Sequence, residues 1–181
     1  ATGKQISRSQ IGNNVMCFSN APLSASEAFS SPVSPPPFMV GMAEVEIDKE
    51  TGVLELIDYV AVVDCGTVIN PNLARVQVEG GIAQGIGMAL YEDVVYNEKG
   101  KNFSNSLMQY KIPTRLDVGT IRVEFESSYE PTGPFGAKSI GEIVINTPSP
   151  AISNAIQNAT GVIIRELPMT AEKIYRGISG R

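Results

Sequence analysis

No histidine and no tryptophan occur among the 181 residues, and there are only two cysteines, Cys17 and Cys65. Without histidine, imidazole zinc sites, Ser-His-Asp triads and Cys-His dyads are excluded within the chain. Two thiols cannot ligate an iron–sulfur cluster by themselves. They are expected to be a loop thiol and a small buried residue rather than a disulfide, as suits the reducing interior of a cytoplasmic enzyme. Basic residues are few as well: 14 Lys and Arg against 19 Asp and Glu leave a net charge of −5. That balance argues against a nucleic-acid partner, which usually requires a basic face. No apolar run approaches the length of a membrane-spanning helix, and no charged-then-apolar signal segment opens the sequence. What remains, 43% hydrophobic and 18% charged residues, is the composition of a soluble globular protein with a core of its own.

Residues 1–37 read as an extended Ser/Pro-rich arm or linker. Three successive prolines, Pro35, Pro36 and Pro37, favour extended backbone with few internal hydrogen bonds. The sequence also begins at Ala1 without Met, so a fragment or processed piece is expected. Residues 38–181 form the folded domain. Apolar and acidic residues alternate from Ala43 to Asp48, a turn follows at 49–52, and Val53 to Asp64 is apolar toward its end. This predicts a long antiparallel hairpin. Asn70-Pro71 opens a helix to about Tyr91. Residues 109–113 are expected to be extended, and 120–128 to form a strand. A helix is predicted from Pro148 to Thr160, stopped by Gly161, then a short strand at 162–164 and a last helix capped by Thr170. The fold class is α+β.

The helix from Pro71 carries four interior glycines, Gly80, Gly81, Gly85 and Gly87. Each costs about 1 kcal/mol relative to alanine, so something must approach the helix closely. Gln77, Gly80, Gly81, Gln84 and Met88 share one face, and Val78, Ile82, Ile86 and Ala89 form a second, aliphatic one. Close packing against a neighbouring element explains the glycines blandly. The functional explanation is an amide-and-glycine surface for a planar, hydrogen-bonding cofactor. A Rossmann motif is excluded, because the glycines lie inside a helix and not at a strand-to-helix turn.

Gly133 to Glu142 holds three glycines and one proline and ends in a carboxylate. With no histidine partner and no second acid in the loop, Glu142 would act as a single base beside something the protein does not encode. The bland alternative is an acid stabilised by a helix dipole.

Three stretches in order carry a resemblance. They are Asp64-Cys65-Gly66-Thr67-Val68-Ile69-Asn70-Pro71 running into Gln77-Val78-Glu79-Gly80-Gly81, then Tyr110-Lys111-Ile112-Pro113, then Gly136-Ala137-Lys138-Ser139-Ile140-Gly141-Glu142. From about Phe38 to Ile178 the chain resembles the C-terminal molybdopterin-binding domain of the xanthine oxidase family of molybdenum hydroxylases, closest to the molybdenum subunit of bacterial xanthine dehydrogenases. The resemblance implies molybdopterin with molybdenum, in bacteria commonly the cytosine dinucleotide form. It implies that Glu142 is the general base of an oxidative hydroxylation of a purine, another N-heterocycle or an aldehyde. It further implies that Gln77, with Gly80 and Gly81, and the loop residues Lys138, Ser139, Ile140 and Gly141 bind the cofactor, the loop through its backbone N–H groups. Family catalytic chains are several times longer, so the resemblance implies half a site. The remaining molybdenum-binding chain, Fe–S and flavin (FAD) subunits or domains are then expected as partners. A non-catalytic cofactor-holding or assembly module of the same fold is the alternative. Glu142 separates the two, since a scaffold has no need of it.

Overall fold

The computed structural model describes residues 5–18 and 24–180. The chain divides into two units, Ala1–Pro32 and Val33–Arg181. The first contains helix α1, Arg8–Phe18, where the sequence reading expects extended backbone. A reciprocal cap starts it: the Ser7 N–H donates to Gln10 Oε1 (2.8 Å) and the Gln10 N–H to Ser7 Oγ (3.2 Å). The Ser-x-x-Gln spacing was the available signal, masked by the proline-rich stretch that follows. Residues 1–4 and 19–23 of the expected arm lie outside the described residues.

The second unit is built on strands β1 (Phe38–Ile47), β2 (Leu54–Asp64) and β3 (Thr120–Phe125), in the order β1-β2-β3. β1 and β2 pair antiparallel with a bulge at Glu44/Val45, and β3 joins β2 in parallel. The hairpin turn is built by Asp48, whose carboxylate accepts from Glu50 N and Thr51 Oγ1, both at 2.8 Å. A parallel partner needs a crossover, and helix α2 (Pro71–Leu90) supplies much of it. Asn70 Oδ1 caps α2 by accepting from Asn72 N and Leu73 N, each at 3.1 Å, with Pro71 in the first turn.

Helix α3 is a single turn, Ile143–Asn146, and α4 is Pro148–Thr160, ended by Gly161 at φ 78°. Helix α5, Ala171–Ser179, is capped by Thr170 and buries Ile174. α4 lies on β1, α2 contacts β3, and α2 and α4 touch each other, so the two helices share one face of the sheet. Between them Tyr59, Ala61, Val63 and Val123 meet Val78, Ile82, Ile86, Ile152 and Ile156, all fully buried. Alternation puts Val40 and Met42 of β1 on the exposed face. The arrangement is α+β with an antiparallel hairpin and packed helices. Two local expectations fail. Residues 162–164 form no strand: Val162 packs against the space at Gly177 and Ile164 against the core, while Ile163 is exposed. Gln109 and Tyr110 close a turn on the Ser106 carbonyl and are not extended.

Candidate functional site

α2 on one side, and the end of the Gly133–Glu142 loop with the α3 turn on the other, form the two walls of a cleft of about 480 Å³. Gln77, Gly80, Gly81 and Gln84 line one wall, and Gly141, Glu142, Val144 and Ile145 the other. The aliphatic face of α2 is turned into the core, with Val78, Ile82, Ile86 and Ala89 buried, so the polar face meets the cleft. Met88, on the same helical face, is not among the residues that line it. Among the described residues no group of three or more Cys, Asp or Glu side chains could hold a metal ion.

The glycines divide by cause. A methyl group at Gly81 would come within 2.8 Å of Val144 Cβ and closer still to Cγ2, and one at Gly85 within 2.6 Å of Pro148 Cγ. These two are bare because α3 and α4 lie against α2. Gly80 has nothing within 4 Å of that position and is exposed. It alone of the three leaves bare backbone facing open space. The expectation that Gly81 is small for a cofactor's sake is therefore corrected: it lines the cleft, but Val144 dictates its size.

The loop is fastened to the end of β2. Phe135 (φ 55°) and Gly136 (φ 84°) are both left-handed, which folds the chain back until the Gly136 carbonyl accepts from Thr67 N (2.8 Å) and Glu130 N (3.0 Å). Gly66 pairs with Ala137 as an isolated antiparallel bridge, and a side chain at Gly66 would overlap the Gly136 carbonyl oxygen. The Lys138 N–H donates to the Cys65 carbonyl at 2.7 Å. That donor is spent, so of the four loop N–H groups expected to face a cofactor, Lys138 is removed. Ser139, Ile140 and Gly141 have no intramolecular acceptor among the described residues.

Lys138 turns its side chain inward as well. Its Nζ lies 2.6 Å from Asp64 Oδ2 and 5.2 Å from the centre of the Phe38 ring, and only 7% of the side chain is exposed. Asp64 Oδ1 accepts from Ser128 Oγ (2.5 Å) and Gly66 N (3.0 Å). The Lys138 ammonium, then the Ser128 hydroxyl and the Gly66 N–H, hold the Asp64 carboxyl at about 2. A second, more apolar cleft of about 410 Å³ adjoins: Lys138 and Ile140 line it together with Cys65, and it shares Gln77 with the first. Ser139 lines neither. Cys65 is buried, and that burial raises its thiol pKa; both cysteines are free. Sequence reasoning quoted Asp64 without giving it a role. The signal was there, in an aspartate ending an apolar strand and a lysine inside a glycine-rich loop.

The first cleft suits a flat, hydrogen-bonding heterocycle: two side-chain amides, one stretch of bare backbone and one carboxylate converge on it. The family model for the molybdopterin cofactor-binding domain matches residues 2–119. The chain belongs to that family. The match takes in the Ser/Pro-rich stretch and ends ahead of β3, so the Glu142 loop lies beyond it. Individual relatives extend further. The chain is 37% identical over 146 residues to the probable hypoxanthine oxidase XdhD of Escherichia coli K12, covering 78% of this chain and 15% of that protein. It is 35% identical over 154 residues to the putative xanthine dehydrogenase molybdenum-binding subunit XdhA of the same organism, covering 84% of this chain and 20% of that one. A stretch of that length necessarily includes position 142. In three dimensions it is similar to quinoline 2-oxidoreductase from Pseudomonas putida 86, with a TM-score of 0.72, 40% identity, and 77% of this chain and 18% of that chain covered. The chain thus spans about a fifth or less of the length of these relatives. Among the described residues no helix is long and apolar enough to cross a membrane.

Proposed function

We propose that this chain is the part of a cytoplasmic molybdenum hydroxylase that supplies the general base and one wall of the cofactor site. The observation that carries the reading is the cleft itself, in which Glu142 stands across from the amide-and-glycine face of α2. Gln77 and Gln84 would hold the edge of a pterin through their side-chain amides, Gly80 would let it approach the helix, and the unspent Gly141 N–H on the same cleft would donate to its oxygens. Placing oxygen on an electron-poor carbon removes two electrons, and no side chain in the cleft can take them. The bound cofactor supplies that two-electron redox chemistry. Glu142 has the complementary task of taking a proton at its carboxylate as the attacking oxygen is activated.

The relatives are named for hypoxanthine, xanthine and quinoline. On that basis a purine or another N-heterocycle is the proposed substrate class, while an aldehyde, and molybdopterin in its cytosine dinucleotide form as the cofactor, rest on the family resemblance. XdhA is described as a molybdenum-binding subunit, which supports a heteromer. The rest of the molybdenum-binding chain, with Fe–S and FAD modules to carry electrons away, would complete the enzyme.

Glu142→Gln in the complete enzyme tests this. It keeps size and hydrogen bonding and removes basicity. Normal folding, normal molybdenum content and a reductive half-reaction slowed at least about 10²-fold are expected. Reduction by substrate at the wild-type rate would leave Glu142 without a catalytic part.

A further inference from the structure

Glu142 hangs between two anchors of different kinds. Behind it, the Ile145 N–H donates to its carbonyl at 3.3 Å, and Val144 is wedged against Gly81 of α2. Ahead of it, residues 139–141 make no main-chain hydrogen bond among the described residues. The last fixed point before the carboxylate is Lys138, four positions away. Lys138 is fastened at its N–H to Cys65 and at its ammonium to Asp64, at the end of the central strand of the sheet.

We propose that Asp64 and Lys138 are positioning residues for Glu142: their ion pair is a clasp that sets where the loop stands relative to α2. The proposal rests on the reading of Glu142 as the base. An apolar anchor could slide in the apolar second cleft, whose wall Lys138 forms. A largely buried ammonium cannot, because leaving its counter-ion is strongly unfavourable. The counter-ion does not move either, since Ser128 Oγ and Gly66 N hold its other oxygen. The Phe38 ring stands over the ammonium and favours its charge. The pair therefore fixes one loop register, and the three unbonded residues beyond it are short enough to pass that register on to the carboxylate.

The test uses the complete enzyme carrying Lys138→Met, Asp64→Asn, both together, Lys138→Arg, and Glu142→Gln as reference. Hydrogen exchange of peptides spanning 65–68 and 136–138, which carry the bonded Thr67 and position-138 N–H groups, and stopped-flow reduction by substrate are measured beside molybdenum and pterin content. We expect Lys138→Met to keep its cofactor, to speed exchange of the bonded Thr67 and position-138 N–H groups at least about tenfold, and to slow the limiting rate of reduction about 10–100-fold with little change in KM. The double variant should be no worse than the worse single one, as for two residues acting as a unit. Lys138→Arg, which can still pair with Asp64, should recover most of the rate. Unchanged exchange in Lys138→Met would overturn the clasp, as would additive losses in the double variant. So would pterin loss with undisturbed exchange, which would make Lys138 a cofactor ligand. If Glu142→Gln reacts at the wild-type rate, the base assignment fails, and loop exchange alone then decides the clasp.

Discussion

Gly80 and Gly81 are neighbours in one helix with the same intrinsic cost, yet only one has a neighbour in the way. Replacing either by alanine removes the same helix-propensity penalty, about 1 kcal/mol. At Gly80 nothing opposes that gain, because no atom lies within 4 Å of the new methyl position. At Gly81 the methyl would meet Val144, whose branched side chain is buried and 1% exposed. Such side chains are stiff, so α3 must move, and overpacking of this kind costs typically about 1–3 kcal/mol. The propensity terms cancel between the two variants, and Gly81→Ala should be less stable than Gly80→Ala by roughly 1–3 kcal/mol. For a protein of this size that separates the melting temperatures by about 2–12 °C. Thermal denaturation of the two purified variants measures it. Equal melting temperatures would refute the reasoning, for they would mean that α3 is not held against α2. Gly80→Leu extends the comparison to the cofactor: it should fold normally and lose pterin, because it fills only open cleft.

Other expectations follow from single contacts. The depressed Asp64 carboxyl contributes stability in full above its ordinary value of 3.8, and loses it as the pH falls toward about 2. The linkage limit is roughly 2 kcal/mol, and less in practice, because the side chain is 22% exposed and solvent screens it. Denaturant midpoints of wild type and Asp64→Asn should accordingly converge between pH 4 and pH 2; profiles that stay parallel would contradict this. Tyr59→Phe removes a hydrogen bond of 2.8 Å to Thr147 Oγ1, at the junction of α3 and α4, and should cost about 1 kcal/mol in urea unfolding. Alkylation followed by peptide mass analysis should label Cys17 in the native protein and Cys65 only after denaturation.

Patterns that depend on neighbouring residues were legible. The hairpin, α2 with its Asn-Pro start, and α4 with its Pro start and Gly stop are all set by cap chemistry and alternation, which the sequence displays locally. The expectation that Gln77, Gly80, Gly81 and Glu142 meet came from the resemblance, and the cleft unites them. What stayed hidden was long-range. That Val144, not a ligand, dictates Gly81 depends on α3 returning against α2. That Asp64 answers Lys138 depends on a contact across 74 positions. The parallel pairing of β3 has no local sign, because its alternation fits either direction. α1 was missed for the opposite reason: its signal was local, but the prolines nearby outweighed it.

The parallel pairing of β2 and β3 has a consequence for how the protein is made. Gln77 on one wall and Glu142 on the other are 65 positions apart, and β3 lies between them in sequence. At ribosomal speeds of about 5–20 residues per second, the carboxylate wall is synthesised roughly 3–13 s after the amide wall. During that interval the apolar face of α2 and the open edge of β2 have no final partner, and the site exists only in half. At that stage a growing chain would have only one wall of the proposed cofactor site to offer. Only after α4 has left the ribosome can α3 and α4 close on the glycines of α2, so on the proposed reading of the cleft cofactor loading would follow that point.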